Sequence, residues 1–432
     1  MVNSSDTYVK NDVLTLEQAT LGCDHHDIGK TPRDTSRGYP DSTLPEIPGL
    51  PKSYRYFGAD PQEYDIDNEH YRRLSCEVDE IISKAKQGIR CNHYATDNTK
   101  GERLVISKID EKGKQRVFNA YSKQLFSVHK MYYGSFADWL KKNKIKNYCA
   151  IGVNPYSSEW DVLTRKLLRF GGANLQNVGA GDYSCFDGSQ LLSIMEGLHE
   201  NFICRWYEYK DIMIRRVIFL EMCESQHVRG EIVYKWKGAN TSGNELTTEL
   251  NCLYNIFAFY YAWLKMHDFD YSCLSSFHLY VYLIVYGDDN AYTVSQEFIG
   301  IFTEKFISEA LVDIGLVYTS ETKEGVNSTM RFITEIEFLK RRFRFDDTCW
   351  RWTAPLRLNV VLEEFYWTRK KNSREERINI VKSNVDTALR ELALHGPDIY
   401  DKYIHEINAC TRLVLNWQSE FGIFHIAHEA VL

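Results

Sequence analysis

The spacing of apolar and polar residues divides the chain into an irregular first part and a longer part rich in regular elements. The first 60 residues carry closely spaced Gly and Pro, which favour turns over helix and strand. We therefore expect extended loops and short helices there, laid as a strap over the rest of the molecule. Over residues 63–87 the apolar residues return at helical spacing, so a helix is predicted.

After this helix, strand and helix patterns follow one another to the end of the chain. Runs of β-favouring residues predict strands at residues 103–109, 115–120 and 337–345. Apolar residues three and four positions apart predict helices at residues 191–205, 247–265 and 296–314 and in the charged C-terminal segment. No internal repeat or low-complexity tract interrupts this succession.

The most distinctive pattern covers residues 279–294. Two runs rich in β-branched and aromatic residues flank residues 287–290, whose Gly, Asp, Asp and Asn favour a tight turn. The sequence therefore predicts a β-hairpin with two adjacent carboxylates, Asp288 and Asp289, at its tip. Burying two like charges side by side is costly unless cations neutralise them, and the hard oxygen ligands of Asp suit Mg²⁺.

A second pair of carboxylates lies upstream, at Asp182 and Asp187. Asp182 stands at the end of a predicted strand, and Asp187 follows it beyond a turn. Two Mg²⁺ ions about 3.5–4 Å apart, held by such carboxylates, activate an attacking hydroxyl and stabilise a departing pyrophosphate. Each pair alone is common in solvated loops. The order of the two pairs and the elements that carry them are what point to this chemistry.

Composition restricts the class of protein. The chain has 432 residues, of which 44% are hydrophobic and 26% charged, which excludes disordered and collagen-like chains. The 52 Lys and Arg residues against 59 Asp and Glu residues give a net charge of −7, which excludes a bulk-basic nucleic-acid binder. No apolar run approaches the roughly 20 residues that span a bilayer.

The cysteines do not form a recognisable framework. All 11 are scattered without a CxxC pair, which indicates reduced thiols in a cytosolic setting. Cys23, His25 and His26 form the one grouping that resembles a metal site. Because no second pair at zinc-ligand spacing follows nearby, we interpret this grouping as a surface turn.

Three motifs occur in a characteristic order. The first covers residues 182–189, and the second consists of Ser242, Gly243, Thr247 and Asn251. The third is Tyr-Gly-Asp-Asp at residues 286–289. Together they resemble the palm motifs of the RNA-dependent RNA polymerases of positive-strand, picorna-like viruses, nearest to the dicistroviruses and iflaviruses. The resemblance covers most of the chain. It implies template-directed RNA synthesis with release of pyrophosphate, in the replication of a viral RNA genome.

The resemblance implies metal-binding roles for the carboxylates. Asp182 and Asp288 would bind two Mg²⁺ ions, for which Mn²⁺ can substitute. Asp289 would assist, closer to the ion that prepares the primer hydroxyl. Downstream, residues 315–321 followed by Lys323 resemble the segment whose lysine acts as general acid on the pyrophosphate. A plain surface lysine is the alternative for Lys323.

The same resemblance implies that a group of polar residues binds the incoming nucleotide. Asp187, Ser242 and Asn251 would read the ribose 2′-hydroxyl, and Gly243 and Thr247 would support them. Polar groups built to pair a hydroxyl discriminate against a sugar that lacks it, since they would be left unsatisfied.

Residues 100–116 are similar to the basic fingers motif of the family. They include six basic and three acidic residues in a chain that is acidic as a whole. The resemblance implies that Lys100 and Arg116 contact the triphosphate, whose charge they offset. Gly101 stands where the family has Asp. A solvated charged hairpin is the alternative interpretation.

Two segments look like contacts for RNA. Thr35 and Ser36 begin a stretch similar to the template-entrance motif, with Arg37 in place of a small residue, although a Gly/Pro turn explains it equally. Residues 338–343 look like the primer-grip hairpin, whose Lys340 and Arg341 would hold the growing strand.

The family fold is α+β: a right hand with fingers, a palm of antiparallel sheet flanked by helices, and a mostly helical thumb. The expected segments are fingers with the strap at 1–140, palm at 141–190, a fingers insertion at 191–238, palm with the primer grip at 239–344, and thumb at 345–432. Implied partners are template and primer RNA, nucleoside triphosphates, a protein primer and other viral replication proteins. We expect the chain to be released from a polyprotein and to act in the host cytoplasm. Partner proteins would bring it to membrane-associated replication complexes.

Two alternatives stay open at this point. A reverse transcriptase shares the paired palm carboxylates but places a bulky side chain where a 2′-hydroxyl would lie, whereas Asp187 and Asn251 suit that hydroxyl. A catalytically silent RNA-binding scaffold is the second alternative, and it is disfavoured because all the metal carboxylates and Lys323 are present.

Overall fold

The computed structural model describes residues 8–60, 62–101, 106, 115–323, 325–366 and 373–431 as an α+β chain. Its strands are β1 (Tyr94–Thr99), β2 (Val117–Ala120), β3 (Val178–Ser184), β4 (Gln226–Arg229), β5 (Ile232–Lys235), β6 (Val281–Tyr286), β7 (Asp289–Val294), β8 (Val317–Ser320), β9 (Arg344–Asp346) and β10 (Arg351–Thr353). Its helices are α1 (Leu16–Leu21), α2 (Tyr54–Phe57), α3 (Glu69–Lys86), α4 (Lys123–Lys142), α5 (Ser158–Leu167), α6 (Phe186–Ser189), α7 (Leu192–Leu198), α8 (Ile212–Cys223), α9 (Thr247–Met266), α10 (Phe277–Tyr280), α11 (Glu304–Leu311), α12 (Leu358–Glu363), α13 (Arg374–Ala393), α14 (Pro397–Leu415) and α15 (Phe424–Glu429).

The central sheet is antiparallel, with strand order β6-β7-β3-β8. The hairpin β6-β7 is the one that the sequence predicts. Strand β3 pairs Gly181 with Asn290 of β7 on one side and Asp182 with Thr319 of β8 on the other. This register brings the end of β3 next to the tip of the hairpin.

Both faces of the central sheet are covered. On one face the aromatic side chains of α9 pack against it, with the Phe259 and Tyr292 rings 5.1 Å apart. On the other face Trp160 of α5 stacks on Phe343 at 5.0 Å and belongs to a core that includes Ile284. Because both faces of the sheet are buried, the sheet meets a cleft at its edge, where β3 ends and the tip of the hairpin carries Asp288 and Asp289.

Strands β1 and β2 and the later hairpin β4-β5 form a second sheet, in the order β2-β1-β4-β5, and helices α3, α4 and α8 pack on one another. The buried helix α4, which we did not predict from the sequence, supports the N-terminal strap. The Lys130 ammonium donates to the carbonyl oxygen of Gly29 at 2.8 Å, and the Leu14 amide donates to the carbonyl of Met131 at 2.9 Å. Hydrogen bonds of its backbone with the backbone and a side chain of α4 therefore fix the strap.

The C-terminal helices form a smaller core of their own. Leu389 and Leu392 of α13 pack with Tyr400 of α14 and Phe424 of α15. The two-stranded sheet β9-β10 lies between this bundle and the central sheet in the sequence. Among the described residues, the structure contains no helix long and apolar enough to cross a membrane.

Two element predictions were wrong. The helix predicted for 296–314 is broken, because Phe298 packs onto Trp263 at 4.9 Å in a short turn and the helix begins only after its N-cap, Thr303. The strand predicted for 337–345 is reduced to β9, because Leu339 and Lys340 have φ angles of 56° and 63° and form a turn.

Other expectations were met only partly. The strand predicted at 103–109 falls mainly outside the described residues. Residues 24–27 form the surface turn that we expected, but the side chain of His26 points inward and is buried between Asp12, at 2.6 Å, and Asp138, at 3.1 Å. The division into fingers, palm and thumb segments stays a prediction.

Candidate active site

Asp182, Asp288 and Asp289 come together at the edge of the central sheet. Asp182 lies near the end of β3, and the other two lie at the tip of the β6-β7 hairpin. Carboxylate oxygens of the three residues are all within 4.8 Å of one another. They line a cleft of about 780 Å³ together with Arg116, Asp187, Lys323, Glu337 and Lys340, among others.

Burial and neighbouring negative charge raise the pKa values of Asp288 and Asp289. Partial burial, followed by the charges of Asp288 and Asp182, raises the pKa of Asp289 to about 7. Burial and then the charge of Asp182 also raise the pKa of Asp288. The Lys323 ammonium lies 2.9 Å from Asp182 Oδ2. Three carboxylates whose hard oxygen donors lie this close together form a donor set that fits divalent cations such as Mg²⁺.

Asn255 holds the hairpin tip in place. This fully buried residue of α9 donates its amide to the carbonyl oxygens of Gly287, at 3.0 Å, and Asp288, at 3.1 Å. Its own oxygen accepts the hydroxyl of Tyr183, on β3, at 2.9 Å. Sequence analysis missed this residue. The available signal was a second Asn, one helical turn after Asn251, in an otherwise apolar helix.

Asp187 and Asn251 form a hydrogen-bonded pair next to the carboxylates. The Asn251 amide donates to Asp187 Oδ1 at 2.7 Å. Burial raises the pKa of Asp187, while this hydrogen bond and the charge of Arg116 oppose the rise. The structure therefore brings together two of the residues predicted to read the ribose, and Arg116 lines the same cleft.

The loop before α9 carries the other residues of this motif. The Thr247 hydroxyl donates to the carbonyl oxygens of Thr241 and Asn244, both at 3.1 Å, and so braces the loop. Gly243 has a φ angle of 91°, and any Cβ there would collide with the carbonyl oxygen of Asn119 on β2. Residue 243 must therefore be glycine, because the loop lies against β2 there. Ser242, which precedes Gly243, is half-buried.

The two predicted triphosphate contacts differ in position. Arg116 lines the cleft, whereas the exposed Lys100 is not among its lining residues. The Lys100 amide donates to the carbonyl of Arg116 at 2.9 Å, so the two residues are neighbours. Lys323 has a φ angle of 61° and a side chain 61% exposed, and it reaches the carboxylates from a turn after β8.

Comparison with known proteins identifies the family of the chain. A family profile described as viral RNA-dependent RNA polymerase matches residues 4–411. The chain belongs to this family. Membership confirms the resemblance and the prediction that the chain is an RNA-directed RNA polymerase. It also decides against the reverse transcriptase alternative.

Relatives and a solved structure agree with this family. The chain is 32% identical over 404 residues to the replicase polyprotein of Drosophila C virus and 32% identical over 403 residues to that of cricket paralysis virus, and each match covers 90% of this chain. The chain spans 22% of the length of each polyprotein. The structure matches the sicinivirus 3Dpol RNA-dependent RNA polymerase with a TM-score of 0.77 and 19% identity, covering 98% of this chain and 82% of that one. This match confirms the right-hand polymerase fold.

In this polymerase the predicted template-entrance residues line a separate groove. Exposed Thr35 and Ser36 contribute to a cavity of about 530 Å³. The Lys123 ammonium donates to the Thr35 hydroxyl at 2.9 Å. Arg37, which replaces a small residue of the motif, is buried and donates to the carbonyl of Leu44 at 3.0 Å. Its guanidinium therefore links two parts of the strap, and Arg37 also lines this cavity.

The two predicted primer-grip residues of the polymerase point to different places. Lys340 is exposed and lines the cleft. Arg341 instead pairs with Glu391 of α13 at 2.8 Å, donates to the Tyr156 hydroxyl at 3.2 Å and keeps only 12% of its side chain exposed. Because its guanidinium is bound to Glu391, this placement argues against the RNA contact that we predicted for Arg341.

Proposed function

We propose that this polymerase extends an RNA primer on an RNA template by two-metal nucleotidyl transfer. The observation that carries the proposal is the group of three carboxylates within 4.8 Å, two of which have raised pKa values. Asp182 and Asp288 would hold two Mg²⁺ or Mn²⁺ ions, with Asp289 nearer the primer end. When bound, such ions activate the primer hydroxyl and stabilise charge on the phosphates.

The remaining chemistry falls to side chains of this cleft. The 3′-oxygen forms a bond to the α-phosphorus of the nucleotide while the bond from that phosphorus to the pyrophosphate oxygen breaks. Lys323, 2.9 Å from Asp182, would give a proton to the departing pyrophosphate. Arg116, with Lys100 beside it, would offset charge on the triphosphate.

The incoming nucleotide and the RNA strands would occupy three places. The Asp187–Asn251 pair would receive the ribose 2′-hydroxyl, helped by Ser242 and by the loop that Gly243 and Thr247 shape. Thr35 and Ser36 would guide the template, and Lys340 would contact the primer strand. The fingers would comprise 1–140 and 191–238, the palm 141–190 and 239–344, and the thumb 345–432.

The proposal for the wider setting is supported by relatives that are replicase polyproteins, of Drosophila C virus and cricket paralysis virus. We infer that the chain is released from such a polyprotein and copies a viral RNA genome in the host cytoplasm. Its partners would be template and primer RNA, nucleoside triphosphates, a protein primer and other viral replication proteins. These proteins would bring it to membrane-associated replication complexes.

Primer extension with the Asp288→Asn variant tests the proposed chemistry. Extension of an RNA primer should depend on Mg²⁺ in the wild type and fall at least about a thousandfold in the variant, since each ion supplies several kcal/mol of charge stabilisation. An unchanged circular dichroism spectrum is the control for folding. Undiminished extension by the variant would contradict the assignment. A wild-type chain inactive at every Mg²⁺ concentration, with and without primer, would favour the silent scaffold.

A further inference from the structure

Two buried amide side chains, Gln190 and Asn240, contact Asn251 beneath the predicted ribose site. Gln190 Nε2 lies 2.6 Å from Asn251 Oδ1, and Asn240 Nδ2 lies 2.8 Å from the same oxygen. Gln190 is 2% exposed and Asn240 is fully buried. The oxygen of Asn251 therefore accepts two hydrogen bonds on the side turned away from Asp187.

The orientation of the Asn240 amide follows from an atom that can only accept. Asn240 Nδ2 also donates to the backbone carbonyl oxygen of Thr247 at 3.0 Å. A carbonyl oxygen has no proton to give, so the NH₂ group of Asn240 must face it. The same NH₂ group meets Asn251, while the oxygen of Asn240 accepts from Asn244 at 3.3 Å. The oxygen of Asn251 must then face Asn240.

This orientation decides what Asn251 presents to Asp187. With its oxygen held by two amides, Asn251 turns its NH₂ group toward the Asp187 carboxylate, 2.7 Å away. The opposite orientation would set an oxygen against that carboxylate and NH₂ groups against each other. The pair therefore presents an acceptor and an N–H donor side by side, which is the complement of a hydroxyl.

Gln190 and Asn240 are also tied to Asp187 through the backbone. Gln190 is the residue that directly follows α6, the short helix that carries Asp187. The Asn240 amide N–H donates to the carbonyl oxygen of Asp187 at 2.9 Å. Gln190 and Asn240 thus each contact Asn251 through a side chain and are tied to Asp187 through the backbone. They link Asp187 to Asn251, although Asp187 and Asn251 lie on different elements.

We propose that Gln190 and Asn240 are positioning residues for ribose selection, which hold the amide of Asn251 in the one orientation that recognises a 2′-hydroxyl. This inference rests on the proposed role of Asp187 and Asn251. When a deoxyribonucleotide binds, the held donor and acceptor find no hydroxyl and stay unsatisfied, which penalises it. Without the two amides, Asn251 can turn and lower this penalty.

The test compares the kcat/KM of ATP with that of 2′-deoxyATP for single-nucleotide extension of an RNA primer by the full chain. Gln190→Leu and Asn240→Leu should each lower the ratio of the two values by about tenfold, the effect of one buried hydrogen bond. Gln190→Glu keeps the shape but removes the donor, so it should lower the ratio similarly. The inactive fraction of a preparation cancels in this ratio.

A matched control comes from another buried amide of the palm. Asn177 is fully buried and donates to the carbonyl of Val294 at 3.4 Å, on the opposite end of β3 from the site. Asn177→Leu should leave the ratio at the wild-type value. If the Gln190 and Asn240 variants slow both nucleotides equally, their role is only structural and the inference fails.

The Asn251→Leu variant separates the inference from the proposal beneath it. If Asn251→Leu leaves the ratio unchanged, the proposed reading of the ribose itself is wrong. If it lowers the ratio while Gln190→Leu and Asn240→Leu keep the wild-type ratio, ribose reading stands and the positioning inference is overturned. A lowered ratio in all three variants supports both.

Discussion

Two groups of charged residues lie along the same strand, β3, and they are built in opposite ways. Beside Ala180 of β3, Arg331 forms ion pairs with Glu304 at 2.7 Å and with Glu321 at 2.8 Å. Arg331 also donates a hydrogen bond to the Ala180 carbonyl oxygen. Near the end of the strand, Asp182 joins two further carboxylates and has the mostly exposed Lys323 as its ion-pair partner. We call the first the arginine cluster and the second the aspartate cluster.

The difference lies in whether the chain itself balances the charge. In the arginine cluster a guanidinium with 16% exposure satisfies two carboxylates, and the pKa of Arg331 is raised. In the aspartate cluster burial, followed by the charge of Asp182, raises the pKa of Asp288, and burial, followed by the charges of Asp288 and Asp182, raises the pKa of Asp289 to about 7. The first arrangement balances its charge within the chain, whereas the second leaves negative charge that the metal ions of the proposed reaction would balance.

Changing an acid to its amide should therefore have opposite effects in the two clusters. Glu304→Gln should lower the free energy of unfolding by about 3 kcal/mol, because a buried partner of Arg331 loses its charge. Asp288→Asn should not lower it in metal-free protein, since one like charge is removed from the aspartate cluster. Urea unfolding in EDTA measures both. Equal destabilisation by the two variants would contradict the contrast.

Lys323 is the residue of the aspartate cluster whose removal should affect the rate and spare the fold. Lys323→Leu should slow single-turnover incorporation by about a hundredfold, because the pyrophosphate would leave without a proton donor. Lys323→Arg, which keeps the charge, is the matched variant and should stay slow if proton transfer matters. An unchanged rate in Lys323→Leu would remove the general-acid role.

Residues with a strong local pattern could be predicted from the sequence. The hairpin follows from two runs of β-favouring residues on either side of turn-forming residues, and helix α9 follows from its long apolar run. The predicted hairpin also puts Asp288 and Asp289 at its tip, as in the structure. The roles of these residues came from the family resemblance. Neither periodicity nor composition distinguishes a metal-binding Asp from one in a solvated loop.

What could not be predicted depends on partners far away in the sequence. Arg341 turns from the cleft because Glu391, on α13, binds it. Residues 299–303 leave the helical path because neighbouring aromatic side chains pack onto α9. The contacts of Gln190 and Asn240 with Asn251 likewise form only when three separate segments meet.

Asn255 offers a way to disturb the aspartate cluster without touching its charges. Asn255→Leu should lower the free energy of unfolding by about 2 kcal/mol, because the carbonyls of Gly287 and Asp288 and the Tyr183 hydroxyl lose their partner. The variant should also raise the Mg²⁺ concentration needed for extension. If stability falls while the Mg²⁺ dependence stays the same, Asn255 supports the core and not the metal-binding geometry.

Glu249 on α9, which belongs to neither cluster, extends the comparison to a single acid with a like charge nearby. Burial, with a smaller contribution from Glu245, raises its pKa to about 7. Between its unfolded pKa and pH 7 the folded chain holds a proton that the unfolded chain releases, so this contribution to stability is lost as the pH rises through 7. The free energy of unfolding of the wild type should therefore fall between pH 5 and pH 8. In Glu249→Gln this fall should be smaller by about 1 kcal/mol, a value that allows for screening by solvent. An identical loss in variant and wild type, measured by urea unfolding at both pH values, would mean that Glu249 is neutralised by a neighbour, as in the arginine cluster.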